Sequence, residues 1–90
     1  MQVANGTNVA GLARSFTQQL MTQGWDTLPG INGPKVPRTV IYYHQQYVDA
    51  AVAIQKYLGK GSLELLAGAK PVPLATSIGI IILIGPDLAG

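Results

Sequence analysis

Ninety residues with an apolar fraction of 48% make a single domain with an ordinary core, near the small end of what folds alone. The absence of cysteine excludes disulfides, thiolate metal sites and thiol chemistry together. Charged residues are 11% of the chain, and the net charge of +2 comes from scattered bases (Arg14, Lys35, Arg38, Lys56, Lys60 and Lys70), so no basic run tracks a phosphate backbone and nucleic acid is not an expected partner.

In chain order, Gln2 to Asn5 reads as a short strand. Asn5-Gly6 is a turn dipeptide, and Thr7 or Asn8 suits a helix N-cap. Val9, Leu12, Ala13, Phe16 and Leu20 then fall on one helical face, with Arg14, Ser15, Gln18, Gln19 and Thr22 opposite. Gly24 ends this helix. Trp25 to Ile31 reads as a second strand, shortened or held to an edge by Pro29. Residues 32–37 are a loop by composition. Arg38 to Tyr43 is rich in β-branched and aromatic residues and is the clearest strand. Gln45 to Leu58 is a second helix with Tyr47, Ala51, Ile54 and Leu58 in register, and Gly59 stops it. Ser62 to Leu66 reads as one helical turn capped by Ser62, and Pro71-Val72-Pro73 as extended chain. Ile78 to Ile84 is a continuous apolar run closed by Gly85-Pro86. It is too short to span a bilayer and reads as a central strand.

The order β-α-β-β-α-β predicts an α+β two-layer sandwich, with two helices on one face of a four-stranded mixed sheet. The last strand is apolar on both sides: Ile78, Ile80, Ile82 and Ile84 point one way, Ile81 and Leu83 the other. Two helices bury one face only. Either residues 60–77 fold over the second face, or that face waits for a partner. Pairing of two copies through a sheet edge is also open. No signal peptide precedes the first strand. The chain therefore reads as a fragment of a longer protein, with any membrane anchor upstream.

Catalytic constellations are not legible. The acids Asp26, Asp49, Glu64 and Asp87 share no element at helical or strand spacing, so no paired-carboxylate mechanism can be assembled. His44 is the lone histidine, with no second ligand at metal-binding spacing. No metal and no cofactor are expected. Gly6 and Gly11 have the spacing of the glycines in a phosphate loop, but Leu12-Ala13 replaces the required Lys-Ser/Thr. What remains is a turn shaped by Asn5, Gly6 and Thr7, with a weak generic anion site at the helix N-terminus. Trp25, Tyr42, Tyr43, Tyr47 and Tyr57 suit either core packing or stacking on sugar rings. Tyr42 and Tyr43 must point to opposite faces of their strand. The one turned from the helices, with Arg38 or Thr39 nearby, is the best candidate for an exposed contact.

Several segments together resemble the LytR C-terminal domain. They are Val3-x-Asn5-Gly6-Thr7, Gly11-Leu12-Ala13, Gly24-Trp25, Thr39-Val40-Ile41-Tyr42-Tyr43, Ala50-Ala51 through Leu58-Gly59, and Ile80 to Ile84 followed by Gly85-Pro86-Asp87-Leu88. The resemblance spans nearly all of residues 2–88; residues 60–77 are not diagnostic. It implies an extracytoplasmic, non-catalytic domain of a bacterial cell-envelope protein, placed after a LytR-CpsA-Psr glycopolymer transferase domain or a single membrane helix. Within the family the chain looks most like the domains of membrane-anchored envelope-integrity and vesiculation regulators.

Two roles follow as expectations. One is an interaction module that docks on a wall-assembly enzyme of the LytR-CpsA-Psr type and influences peptidoglycan or wall remodelling. The other is direct binding of a wall glycopolymer, with Arg14, Lys35, Arg38, Tyr42 and Tyr43 as candidate contacts.

Overall fold

The structure, a computed structural model, describes residues 1–65 and 79–88. In chain order it contains β1 (Gln2–Asn5), α1 (Leu12–Thr22), β2 (Ile31–Asn32), β3 (Val40–Tyr43), α2 (Val48–Leu58), β4 (Ser62–Leu65) and β5 (Ile80–Ile84). Single 3₁₀ turns at Gln45–Tyr47 and Pro86–Leu88 precede α2 and follow β5. The fold is α+β, as the pattern predicts, but its mixed sheet has five strands in the order β2-β1-β5-β3-β4 rather than four.

Two β-α-β units make up this sheet. β1 pairs parallel with β2, and β3 pairs parallel with β4. The units run in opposite directions and meet across β5, which is parallel to β1 and antiparallel to β3. The fifth strand is Ser62–Leu65, where the local sequence predicts a capped helical turn. Pairing with β3 decides otherwise: Ile41 lies opposite Leu63 and Tyr42 opposite Glu64, so an apolar–polar alternation of period two meets a matching neighbour. A four-residue segment has too little helical propensity to resist that.

Both helices lie on one face. Ala13 and Leu20 of α1 and Ala51 and Ile54 of α2 pack with Val3, Ile41, Ile80, Ile82 and Ile84 in the main core. The second face carries a smaller cluster of Ala4, Ile81 and Leu83, with Ile31, Val36 and Tyr42 against it. Ile81 is 0% and Leu83 1% exposed, so the second face is not the open surface that one sequence reading allowed. Of the segment expected to cover it, residues 62–65 form β4, and residues 66–77 lie outside the described residues, as does Ile78.

Other boundaries also differ from the sequence reading. β3 begins at Val40 and not Arg38, and Gln45–Tyr47 forms a 3₁₀ turn before α2, which leaves Tyr47 exposed and off the helix face assigned to it. α1 begins at Leu12, after Gly11 in the left-handed region at φ 84°, and not at a Thr7 or Asn8 cap. Side-chain hydrogen bonds of Asn5 and Thr7 hold the intervening residues in a turn. β2 shrinks to Ile31–Asn32 because residues 25–30 are tied elsewhere. Trp25 donates its N–H to the Leu20 carbonyl (3.0 Å), Leu28 to the Met1 carbonyl (2.8 Å), and the Gln2 side chain to the Pro29 carbonyl.

The open end of β5 is locked to β3. The Asp87 carboxylate accepts the Thr39 N–H (2.9 Å) and the Thr39 hydroxyl (2.7 Å), and that hydroxyl accepts the Gly85 N–H (2.9 Å). Gly85 lies so close to β3 that a Cβ there would sit 2.2 Å from the Arg38 carbonyl carbon. Asp87→Ala leaves the buried Thr39 donors without an acceptor and should cost about 2–3 kcal/mol in urea unfolding. The buried Thr17 hydroxyl, by contrast, has no hydrogen-bond partner among the described residues. Thr17→Val should therefore raise stability by about 1 kcal/mol in the same assay.

Candidate functional site

The strand directions bring several sequence motifs to one end of the sheet. β1, β2 and β5 finish there, at Asn5, Asn32 and Ile84, and β3 and β4 begin there, at Val40 and Ser62. The start of α1, the end of α2, the loop before β3 and the Pro86–Leu88 turn share that end. In parallel sheets the carboxyl ends of the strands are where ligands are received.

Asn5 organises the turn. Its Oδ1 accepts the Thr7 N–H (2.9 Å) and the Thr7 hydroxyl (2.7 Å), and its Nδ2 donates to the Val9 carbonyl (2.7 Å). The Thr7 hydroxyl in turn accepts the Val9 N–H (3.1 Å). Gly6 donates its N–H to the Ile84 carbonyl (2.9 Å), and its carbonyl accepts the Val36 N–H (3.1 Å). A Cβ on Gly6 would lie 2.7 Å from the Ile84 carbonyl oxygen, so only glycine lets β1, β5 and the 33–37 loop close together here. The amides of Gly6, Thr7 and Val9 are therefore committed to the protein itself. A phosphate loop presents such amides outward, and this turn does not.

Cations line the same end. Arg14 sits in the first turn of α1, beside a hollow of about 340 Å³ shared with Asn5, Gly11 and Asn32. Lys35 donates to the Thr7 carbonyl and borders a second hollow of about 290 Å³ with Thr7, Val9 and Pro86. Exposed Arg38 precedes β3, against Gly85. Lys60 donates to the Asp87 carbonyl at 3.0 Å. Lys56 lies in the last turn of α2. A lysine ammonium has three donors, so Lys35 and Lys60 each keep two for a ligand. The sheet end that carries these cations is about 19 Å wide from β2 to β4, four strand spacings.

Of the contacts predicted from sequence, Arg14, Lys35 and Arg38 are brought to one end. Tyr42 and Tyr43 are not. Tyr43 turns to the helices and packs on the main core, while Tyr42 lies on the second face, opposite Ile81 on β5 and Glu64 on β4. Lys56 and Lys60 are the residues that sequence reasoning left out. They follow one another in the chain as ordinary solvated lysines, and only the α2-to-β4 connection places them beside the row.

Among the described residues no three His, Cys, Asp or Glu side chains gather closely enough to hold a metal ion. His44 is a half-buried strand-end residue whose N–H donates to the Gly79 carbonyl (2.9 Å) and whose carbonyl accepts the Tyr47 N–H (2.8 Å). No described helix is long and apolar enough to cross a membrane. If Asn5 serves chiefly to build the turn, Asn5→Ala should lower unfolding stability by about 2 kcal/mol. Hydrogen exchange should then rise at Thr7, Val9 and Val36 while α2 keeps its protection.

Comparison with known proteins gives a consistent picture. The profile of the LytR cell envelope-related transcriptional attenuator family matches residues 1–88. Among solved structures, the solution structure of the C-terminal domain of RV0431 is similar at 23% identity and a TM-score of 0.57, covering 93% of this chain and 69% of that one. That likeness establishes a common fold. No curated protein matches the chain.

Proposed function

The chain belongs to the LytR cell envelope-related transcriptional attenuator family, and on that premise we propose that it is a non-catalytic, extracytoplasmic binding module that engages an anionic cell-wall glycopolymer through the cationic end of its sheet. The observation that carries this reading is the row of Arg14, Lys35, Arg38 and Lys60 along one end. The remaining acid there, Asp87, is already bonded to Thr39. A linear arrangement of cations suits a chain with repeating negative groups better than a single small anion. The two arginines add planar donor forks that match phosphate oxygens. The uncapped first turn of α1 beside Arg14 adds partial positive charge.

Docking on a wall-assembly enzyme such as a LytR-CpsA-Psr transferase is a second reading. The buried second face gives it no support. The opposite end of the sheet does, since Met21, Leu28, Tyr47 and Val48 are exposed there.

An amide chemical-shift titration of the labelled domain with solubilised wall glycopolymer tests the first reading. Saturable shifts should cluster on Thr7, Arg14, Lys35, Arg38 and Lys60 and weaken as salt rises. Replacing Arg14, Lys35 and Arg38 together by Gln should weaken binding at least about tenfold and flatten the salt dependence by roughly two to three released counterions. An unchanged spectrum at saturating polymer, or equal binding by the triple variant, overturns it. Equal affinity for duplex DNA would reduce the row to a non-specific polyanion contact.

A further inference from the structure

The end of the sheet away from the cationic row has the opposite chemistry. β3 and β4 finish there and β1 and β5 begin there, between the end of α1 and the start of α2. A cleft of about 320 Å³ opens at this point, lined by Met1, Trp25, Asp26, Tyr47, Ala50, Gly79 and Ile80. Trp25 is half-buried against the core, and Tyr47 is 43% exposed. Gly79 lets the Tyr47 ring lie directly over the backbone, because a Cβ there would come within 2.4 Å of the ring. The acids Asp26 in the cleft, Asp49 in the first turn of α2 and Glu64 on β4 belong to this half of the domain. Among the described residues no lysine or arginine does. The Met1 nitrogen meets the Asp26 carbonyl at 3.4 Å and not its carboxylate.

We propose that the Trp25–Tyr47 cleft receives an arginine or lysine side chain presented by a partner polypeptide. Two aromatic residues and an exposed aspartate lining one cleft are the chemistry that recognises an organic cation. The ring faces attract the positive charge, and the carboxylate pairs with it. A long basic side chain also has an aliphatic stem, which Ala50 and Ile80 can cover while its head reaches Asp26. The acidic character of this half favours a basic partner and opposes the anionic polymer assigned to the other end. The exposed apolar side chains of Met21, Leu28 and Val48 supply a rim for apolar residues flanking the inserted cation. Tryptophan, tyrosine and arginine are also the residues in which interface energy concentrates. This inference gives chemistry to the docking reading and rests on it. It is independent of polymer binding at the cationic end.

Trp25 is the single tryptophan of the chain, so its fluorescence reports on the cleft directly. The probe is a blocked peptide, Leu-Arg-Leu-Arg-Leu, with its Leu-Gln-Leu-Gln-Leu counterpart, titrated into the whole chain while fluorescence and amide shifts are followed. The arginine peptide should change Trp25 emission saturably and shift Tyr47, Ala50 and Ile80. The glutamine peptide should bind about tenfold more weakly, the scale of a partly desolvated cation–aromatic contact. Asp26→Asn and Tyr47→Ala alter exposed residues, so the fold should persist, and each should weaken the arginine peptide severalfold. Equal response to both peptides, or unchanged affinity in Asp26→Asn, overturns the proposal. A saturable response to N-acetylglucosamine oligomers with none to the arginine peptide also overturns it, assigning the cleft to a saccharide. If neither peptide perturbs the cleft while the chain still binds a purified LytR-CpsA-Psr transferase, the site fails and the docking reading stands.

Discussion

The position of β5 is the constraint on which the rest of the molecule depends. It is the last strand in sequence and the central strand in space, flanked by β1 and β3 and buried on both faces. Each β-α-β unit alone is a two-stranded sheet with one helix, too small to bury a core. Insertion of β5 joins the two units into one five-stranded sheet and lets both helices share the isoleucine face. A strand buried on both sides must be apolar at every position, which is why Ile80 to Ile84 shows no alternation. The same topology makes assembly non-local: β1 must wait for a partner about eighty residues away. Closure of β1 against β5 is therefore the strand pairing with the largest loop-closure entropy in the sheet.

The motifs that look functional in the sequence are largely the hardware of that closure. Asn5-Gly6-Thr7 and Gly85-Pro86-Asp87-Leu88 lie far apart in the chain and meet at one end of adjacent strands. Gly6 passes its N–H to the Ile84 carbonyl, and Gly85 passes its own to Thr39, which is held by Asp87. Both glycines stand where backbones approach too closely for a Cβ. The resemblance to a phosphate loop is therefore one of spacing and not of use. The side chains proposed to bind are fixed from these turns: Lys35 bonds the Thr7 carbonyl and Lys60 the Asp87 carbonyl, while the Arg38 backbone packs on Gly85.

Much of the fold was legible because periodicity carries it. The apolar spacing from Leu12 to Leu20 and from Ala51 to Leu58 marks the helices, and the apolar run to Ile84 marks a central strand. The misplaced pieces are those decided by distant contacts. Ser62–Leu65 becomes a strand only because β3 offers a parallel edge at the right register. The start of α1 moves to Leu12 because Asn5 bonds Val9 across the turn, a contact that propensity does not encode. The site was legible in part. Arg14, Lys35 and Arg38 were identified singly, but their convergence with Lys60 follows from strand direction, which local pattern does not give. Tyr42 and Tyr43 carried the correct prediction of opposite faces, yet neither reaches the cationic end.

Strand direction also accounts for the polarity of the domain. Because the two β-α-β units oppose one another, α1 starts and α2 finishes at the cationic end, while α1 finishes and α2 starts at the aromatic end. Asp49 beside the start of α2 and Lys56 beside its finish each complement the helix dipole, so the charge segregation carries no penalty in helix stability. The molecule measures 31 × 27 × 21 Å, and its ends are separated by the whole sheet. Strands of four or five residues keep the two ends about 15 Å apart, about twice the screening length at physiological salt, so charges bound at one end are felt only weakly at the other. The two proposed sites therefore do not compete for surface: a wall polymer at one end and a partner polypeptide at the other, as we propose, would be held at a distance fixed by the sheet.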